Sequence, residues 1–491
     1  MINLAASLLV FALFQTALAP QPPAPATNPE IWVSAWKSVP DGLRFVSPML
    51  WVDGDYRPSA DNPSIDPEPI ARASRALPPG RRVLLWYRYF RSFWGDPADQ
   101  IDASGKKADT PWGEFAVPKA MAEWQRFLQL FKYCGGKVDY LVGDCEEWGR
   151  FTCWGVNAAQ LSALHGDPRF DKPMYGSPSL RALTEGIPLD EVLQPQRSSA
   201  YLRWNLEISR FTGALMNHAI WVPAKEAFPS LQGSNYDGKR MVDRPAPDPN
   251  GHPQPSDNIF GTAPSPVAYG AVQQANTAWF IDPADPTRLA HEGTKRLGRG
   301  PWQSLLMDVQ LGRACRRGST DRPMHPWIAL RYYAGDTPGF VGYPEDARCY
   351  REMLRHYALL GTSVFLWWNT TALPGPGGTS VLITDRDALA TEMDGTMTEI
   401  NARTGGVVRS TIGSEPISFE ATVVITGAVR ADGRCIWRVS ARPDVRALRN
   451  VVTGEVVTLP GDEIGFWVER DDATVPSFVP ESSPPAGDRS R

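Results

Sequence analysis

The six cysteines and six histidines of this sequence show no CxxC or HxxH-type spacing, which leaves no framework for a structural zinc. The histidines (His165, His218, His252, His291, His325 and His356) are scattered, so metal-assisted hydrolysis has no ligand set. Neither a metal nor another cofactor is expected. GxSxG is absent, which removes the signature of a serine hydrolase. GxGxxG and GxxxxGK[ST] are absent as well, which removes the nucleotide fingerprints that an open doubly wound sheet would carry. There is no long basic run, and 54 acids against 50 bases give a net charge of -4. No electrostatic footprint for nucleic acid or an anionic membrane follows from that. No internal repeat is present.

What is there is proline and tryptophan. The 46 prolines suit many long, ordered loops. Most of the 18 tryptophans are expected to fill core, yet such a surplus also suits a cleft that stacks flat rings such as sugars. The 491 residues suffice for one large domain and a smaller one. At the N-terminus, Leu4 to Phe14 is too short to span a bilayer and fits the apolar region of a signal peptide over 1–26. Lys and Arg are missing ahead of it. Pro20 disfavours cleavage after Ala17-Leu18-Ala19, and Ala24-Pro25-Ala26 is a workable alternative. The expected location is secreted or periplasmic; the bland alternative is an uncleaved anchor. No other stretch is long and apolar enough to span a membrane. In an exported chain Cys145 could pair with Cys153, and Cys315 with Cys349.

Short apolar runs alternate with amphipathic ones from about residue 31 to 405. The strand candidates are 31–36, 45–52, 82–90, 138–144, 230–237, 326–333 and 363–368. Helical spacing covers 117–133, 199–222, 301–316 and 344–360. Strands apolar on both faces and separated by helices point to a parallel sheet. The fold class is α/β: a (β/α)8 TIM-type barrel over 27–408, its eighth strand at 173–176 or within 266–281. Residues 242–266 form a proline-rich insertion, a lid or a solvated loop. From 412 to 472 short β-branched runs predict a small C-terminal antiparallel β-sandwich. Residues 473–491 read as a disordered tail.

One stretch carries chemistry. "VGDCEEWG" (142–149) brings three acids to the end of an apolar strand. Alternation puts Tyr140, Val142, Asp144 and Glu146 on one face if the extended backbone persists. In a barrel that end opens on the C-terminal face, where active sites lie. Two carboxylates this close raise one pKa, as a general acid requires. The bland reading is a salt-bridged loop with Arg150.

The same stretch resembles the acid motif of hyaluronidases, glycoside hydrolase family 56, through Val142, Asp144, Glu146, Glu147 and Trp148. It is also similar to the family 18 chitinase motif through Asp139, Asp144 and Glu146, with Val142 in place of an acid. The resemblance implies a barrel that cleaves 2-acetamido sugars with retention, the substrate's own acetamide acting as nucleophile. It implies Glu146 as acid and then base, with Asp144 orienting the acetamide. "SNYD" (234–237) is similar to a family 18 strand end, which implies Tyr236 as a hydrogen-bond donor to the acetamide beside Asp237. "GTSVFLWWN" (361–369) resembles the last strand of these barrels, which implies Trp367 or Trp368 as the floor of a sugar subsite.

Two other readings stay open. A two-carboxylate glycosidase would draw on Asp53, Asp55 or Asp237, because the run "ALRYYAGD" offers no glutamate. A non-catalytic glycan-binding barrel would keep the aromatic cleft and tie its acids into salt bridges. Tyr87 and Arg88 end one strand candidate and Arg331 another; an arginine there could bind a uronate or pair with Asp144 or Glu147. The expected partner in each case is a polysaccharide or oligosaccharide.

Overall fold

The computed structural model describes residues 28–33, 39–52, 66–77, 81–87, 116–144, 171–173, 177–192, 200, 207, 217–236, 267–268, 272–274, 280–282, 285–290, 301–318, 323–328, 340–342, 347–367, 372–374, 380–382, 386–406, 408–412, 417–418 and 420–481. The expected leader, the insertion 242–266 and the Cys145–Cys153 pair lie outside these residues.

The parallel strands are β1 Glu30–Val33, β2 Val46–Pro48, β3 Leu50–Val52, β4 Leu84–Tyr87, β5 Tyr140–Asp144, β6 Gln232–Tyr236 and β7 Val267–Ala268, then β11 Trp327–Ile328 and β13 Val364–Trp367. Between and after them, antiparallel pairs join β8 Val272–Gln274 to β12 Phe340–Gly342, β9 Phe280–Asp282 to β10 Asp285–Ala290, and β14 Ala372–Pro374 to β15 Ser380–Leu382. The parallel strands form a five-stranded sheet, β2-β1-β13-β11-β7, and a four-stranded sheet, β3-β4-β5-β6. Only Met49 separates β2 from β3, and its N–H donates to Val33 O at 2.9 Å. Taking β2 and β3 as one run gives eight parallel positions in chain order, with β13 returning to β1. The eighth expected strand is therefore β7, inside 266–281. Among the described residues no ladder joins β6 to β7, and the two sheets meet at Met49.

Side chains sort by strand phase as a barrel requires. Trp32, Met49, Leu84, Tyr140, Val142, Trp327, Val364 and Leu366, drawn from both sheets, pack into one interior cluster. The alternate positions Ile31, Val33, Val46, Ile328, Phe365 and Trp367 face outward into a second core. That core is built with α4 Pro301–Gly318, α5 Ala347–Leu359 and α6 Arg386–Thr404. On the other side lie α1 Pro67–Ala76, α2 Ala116–Tyr133 and α3 Val222–Ala227. Asp66 caps α1 by accepting from Glu68 N at 3.0 Å, and Pro67 opens the helix. In α2, Trp124, Phe127 and Phe131 stack in sequence with centroids 5.4 and 5.7 Å apart. Gly135, at φ 73°, ends α2 in the left-handed region, and a Cβ on Gly136 would lie 2.5 Å from the Phe131 ring. This glycine pair turns the chain straight into β5.

Helix α6 is absent from the sequence-based reading. Its apolar stripe is Leu389, Ala390, Met393, Met397 and Ile400, interrupted by threonines. Thr391, Thr396, Thr398 and Thr404 satisfy their hydroxyls on the carbonyl four residues back. Asp394 accepts from the N–H groups of Arg44 and Phe45 at 2.8 and 2.5 Å, which fixes the entry to β2.

The sandwich starts earlier and ends later than 412–472. Its sheets are β16 Val408–Ile412, β17 Val423–Arg430, β18 Cys435–Ala441 and β21 Gly465–Arg470 in order, facing β20 Val456–Thr458, β19 Ala447–Asn450 and β22 Phe478–Pro480. The tail expected to be disordered thus supplies a strand. Phe478 packs edge-on to Phe466, with centroids 5.2 Å apart, and that burial orders residues 473–481. The Cys315 side chain, and with it the expected Cys315–Cys349 pair, lies outside the described residues; Cys349 sits in the outer core. Among the described residues no helix is long and apolar enough to cross a membrane.

Candidate active site

The strand ends are aligned by register. Val52 pairs with Tyr87, Tyr87 with Gly143, and Gly143 with Asn235. One step further, Asp144 and Tyr236 are direct partners, each the last residue of its strand. Positions 140 and 142 line the interior, so position 144 has the interior phase. Ser234 meets His325, whose ring stands against interior Tyr140, so position 236 shares that phase. Two of the expected site residues, far apart in sequence, are neighbours at the C-terminal end of the parallel strands. The antiparallel pairs β8–β12 and β14–β15 lie in the connections that leave β7, β11 and β13 at this same end.

The side chain of Tyr87 lies outside the described residues. One expected position is corrected. Trp367 is fully buried in the outer core, among residues of α4, α5 and α6, and cannot floor a sugar subsite. Asp139, matched in the chitinase comparison, lies at the opposite end of β5, where its Oδ2 accepts from Val83 N at 2.7 Å. Glu146, Glu147, Trp148, Asp237, Trp368, Asp53 and Arg331 lie outside the described residues. Among the described residues no group of His, Cys, Asp and Glu could hold a metal.

No protein-family model and no curated protein matches this sequence. Among solved structures, an endo-β1,6-glucanase is similar at a TM-score of 0.39 and 11% identity, with 90% of each chain covered. A GH27 β-L-arabinopyranosidase from Geobacillus stearothermophilus gives a TM-score of 0.35 at 11% identity, covering 94% of this chain and 97% of that one. The catalytic domain of GH30 xylanase C from Talaromyces cellulolyticus gives 0.28 at 9% identity, covering 89% and 87%. These scores carry no argument about activity, and the reading of the site rests on its residues.

The interior also holds a polar group that the sequence-based reading missed. His325 is fully buried, its Nδ1 against Ser234 Oγ and its Nε2 2.8 Å from Ser363 Oγ. Burial, with the Arg82 charge nearby, holds its pKa down at about 3. Below it, Arg82 bonds the Tyr140 hydroxyl and pairs with Glu30 at 3.1 Å. Burial raises the Glu30 carboxyl above its ordinary value, although Arg82 opposes this. A serine in the interior phase of β6 was the one available signal.

Proposed function

We propose that the protein is an exported glycoside hydrolase with its site at the C-terminal ends of β5 and β6. The observation that carries this reading is the register: Asp144 and Tyr236 are partners at the last ladder step of adjacent parallel strands. The chain then continues from Asp144 into Cys145-Glu146-Glu147-Trp148. In this reading the acid two residues beyond Asp144 protonates a glycosidic oxygen while Asp144 stays ionised. In the finer form of the proposal, Glu146 is acid and then base, Asp144 steadies a substrate acetamide as it becomes a cationic ring, and Tyr236 donates to that acetamide. Glu147, Trp148, Asp237 and Trp368 would line the sugar, and Arg331 would favour an acidic one.

A second reading has its own support. Met49 sets the interior phase of the β2–β3 run, and that phase returns at position 53. Asp53 could then act as the second carboxylate of a mechanism that needs no acetamide. One experiment separates these readings: reducing-end release from chitin-type, hyaluronan-type and acetamide-free glycans, by the full chain and by Glu146→Gln. Cleavage of 2-acetamido glycans alone, lost in the variant, supports the finer proposal. Cleavage of acetamide-free glycans selects the two-carboxylate reading. A folded protein that cleaves none of the panel removes the hydrolase reading and leaves a glycan-binding barrel.

A further inference from the structure

We infer that His325 is a positioning residue: through Ser234 and Ser363 it spans the interior and fixes β6, with position 236 at its end, against the β11–β13 half of the sheet. As a statement about catalysis this rests on the glycosidase reading; as a statement about β6 it does not.

On one side β6 is held by the ladder to β5. On the other, toward β7, no ladder is present among the described residues. Among the described residues the tie to the far half is the side-chain bridge. Ser234 Oγ bonds His325 Nδ1, and His325 Nε2 lies 2.8 Å from Ser363 Oγ. All three residues are at most 2% exposed, so water does not compete for these bonds. The far anchor is rigid. Met324 N donates to Gly361 O at 2.9 Å, Ser363 N to Met324 O at 3.1 Å, and Leu366 N to Pro326 O at 2.9 Å. Tyr140 stands edge-on to the imidazole, with centroids 5.4 Å apart, and limits its rotation.

The bonding suits a neutral ring. A neutral imidazole offers one donor and one acceptor, and the two serine hydroxyls can rotate to supply the complement. An imidazolium would be a donor at both nitrogens and would sit uncompensated in an apolar interior. From Ser234 to position 236 is two residues, about 7 Å along an extended strand. A displacement of Ser234 is therefore passed on to the strand end. A shift of about 1 Å in a positioning element can cost about 10²-fold in rate.

The test uses the full chain and the variants Ser234→Ala and Ser363→Ala, which remove one hydroxyl each and leave the ring to fill its space. Backbone hydrogen exchange is followed over 232–236, 140–144 and 364–367, and kcat and KM are measured on the best glycan of the panel. The expected result is exchange at least about tenfold faster over 232–236 in both variants, with the other two segments unchanged. With it, kcat should fall about 10- to 100-fold while KM stays within about threefold. Unchanged exchange over 232–236 in both variants overturns the inference whatever the activity. Faster exchange with wild-type kcat overturns the positioning role. Faster exchange in a chain whose wild type cleaves no glycan supports the strut and removes the glycosidase reading, so the two failures are told apart.

Discussion

At the scale of single residues, the two adjacent tryptophans of the last parallel strand have opposite duties. Trp367 fills the outer core, so Trp367→Ala should cost about 3–5 kcal/mol of stability, read from urea melts. Any protein that still folds should keep its KM. On the expectation that the alternation of Val364 and Leu366 carries on one step past β13, Trp368→Ala should raise KM several-fold and leave the melting temperature in place. The opposite pairing of effects would show that the phase is inverted beyond β13. Asp144→Asn should lower kcat by about 10²–10⁴, and Tyr236→Phe by about 10²–10³, the range for losing a charged partner or one hydrogen-bond donor of the transition state. Equal and small losses in both would mean that the register brings these residues together for packing. The pairing of Asp144 with Tyr236 could be suspected from two motif-like strand ends. The bridge from Ser234 to His325 could not, because its partners are 91 residues apart and a single buried histidine announces nothing.

At the scale of elements, helix α5 binds the sandwich through a buried ionic network. Glu352 takes Arg438 in a two-pronged pair, Nε at 2.7 Å, and also accepts from Arg355 at 2.7 Å and Ser440 at 2.5 Å. Arg355 reaches on to Glu399 at 2.6 Å and Glu463 at 2.7 Å. His356 lies between Thr426 Oγ1 and Ser440 Oγ, each at 2.9 Å. Burial alone would raise the Glu352 carboxyl, but Arg438 and Arg355 outweigh it and hold it well below the usual range. A lowered carboxylate gives stability above its unfolded value of 4.5 and loses it as pH falls. Burial holds His356 at about 3, against an unfolded value of 6.5. Below 6.5 the unfolded chain takes up a proton that the folded one refuses, so this contribution also falls with pH. His325 behaves alike, while the raised Glu30 slopes the other way. The unfolding free energy should therefore drop by about 1 kcal/mol per pH unit for each of the two histidines between about pH 6.5 and 5. His356→Gln should remove about half of that slope, and an unchanged slope in urea melts would show that the ring is charged in the fold. Glu352→Leu should cost about 3–5 kcal/mol, because it takes the most buried carboxylate from Arg438 and Arg355 and leaves them only the half-buried Glu463 and Glu399. This network was not legible in the sequence, which shows charged residues at helical spacing in 347–359 and no sign that they face another domain. Strands β1 to β6 were legible because apolar runs bounded by helices and turns carry their own period. Helix α6 and strand β22 were not, since threonines break the one pattern and prolines mask the other.

At the scale of the whole molecule, the sandwich is built to brace. Trp437 is fully buried, Phe466 and Phe478 pack on each other, and Trp467 donates to Glu399 of α6 at 2.7 Å with Arg438 over its ring. Among its described residues the exposed large apolar side chains are valines, such as Val452 and Val479, which offer no flat platform to a sugar. The two parts also share an apolar seam: Ile417, Val424 and Ile464 belong to the same core as Trp302, Tyr357 and Phe365. Trp302 Nε1 donates to Ala421 O at 2.8 Å, and Ile417 N donates to Gln310 Oε1 at 2.8 Å. Cutting the chain after Gly406 would expose that seam and leave Glu352 and Arg355 without Arg438 and Glu463. Apolar surface returned to water costs about 25 cal/mol per Å², so the loss of such a seam is comparable with the whole stability of a domain. A chain ending at residue 406 should therefore be insoluble or lack a cooperative melt, even though it holds every parallel strand. A truncated protein that melts cooperatively and keeps the full chain's rate would show the sandwich to be an independent module. A sandwich bound to the parallel-sheet part only through its charges would predict a third outcome, rescue of the truncated chain by Glu352→Leu with Arg355→Met. The apolar seam makes that rescue incomplete, because removing the charges does not cover the residues that Ile417, Val424 and Ile464 pack against.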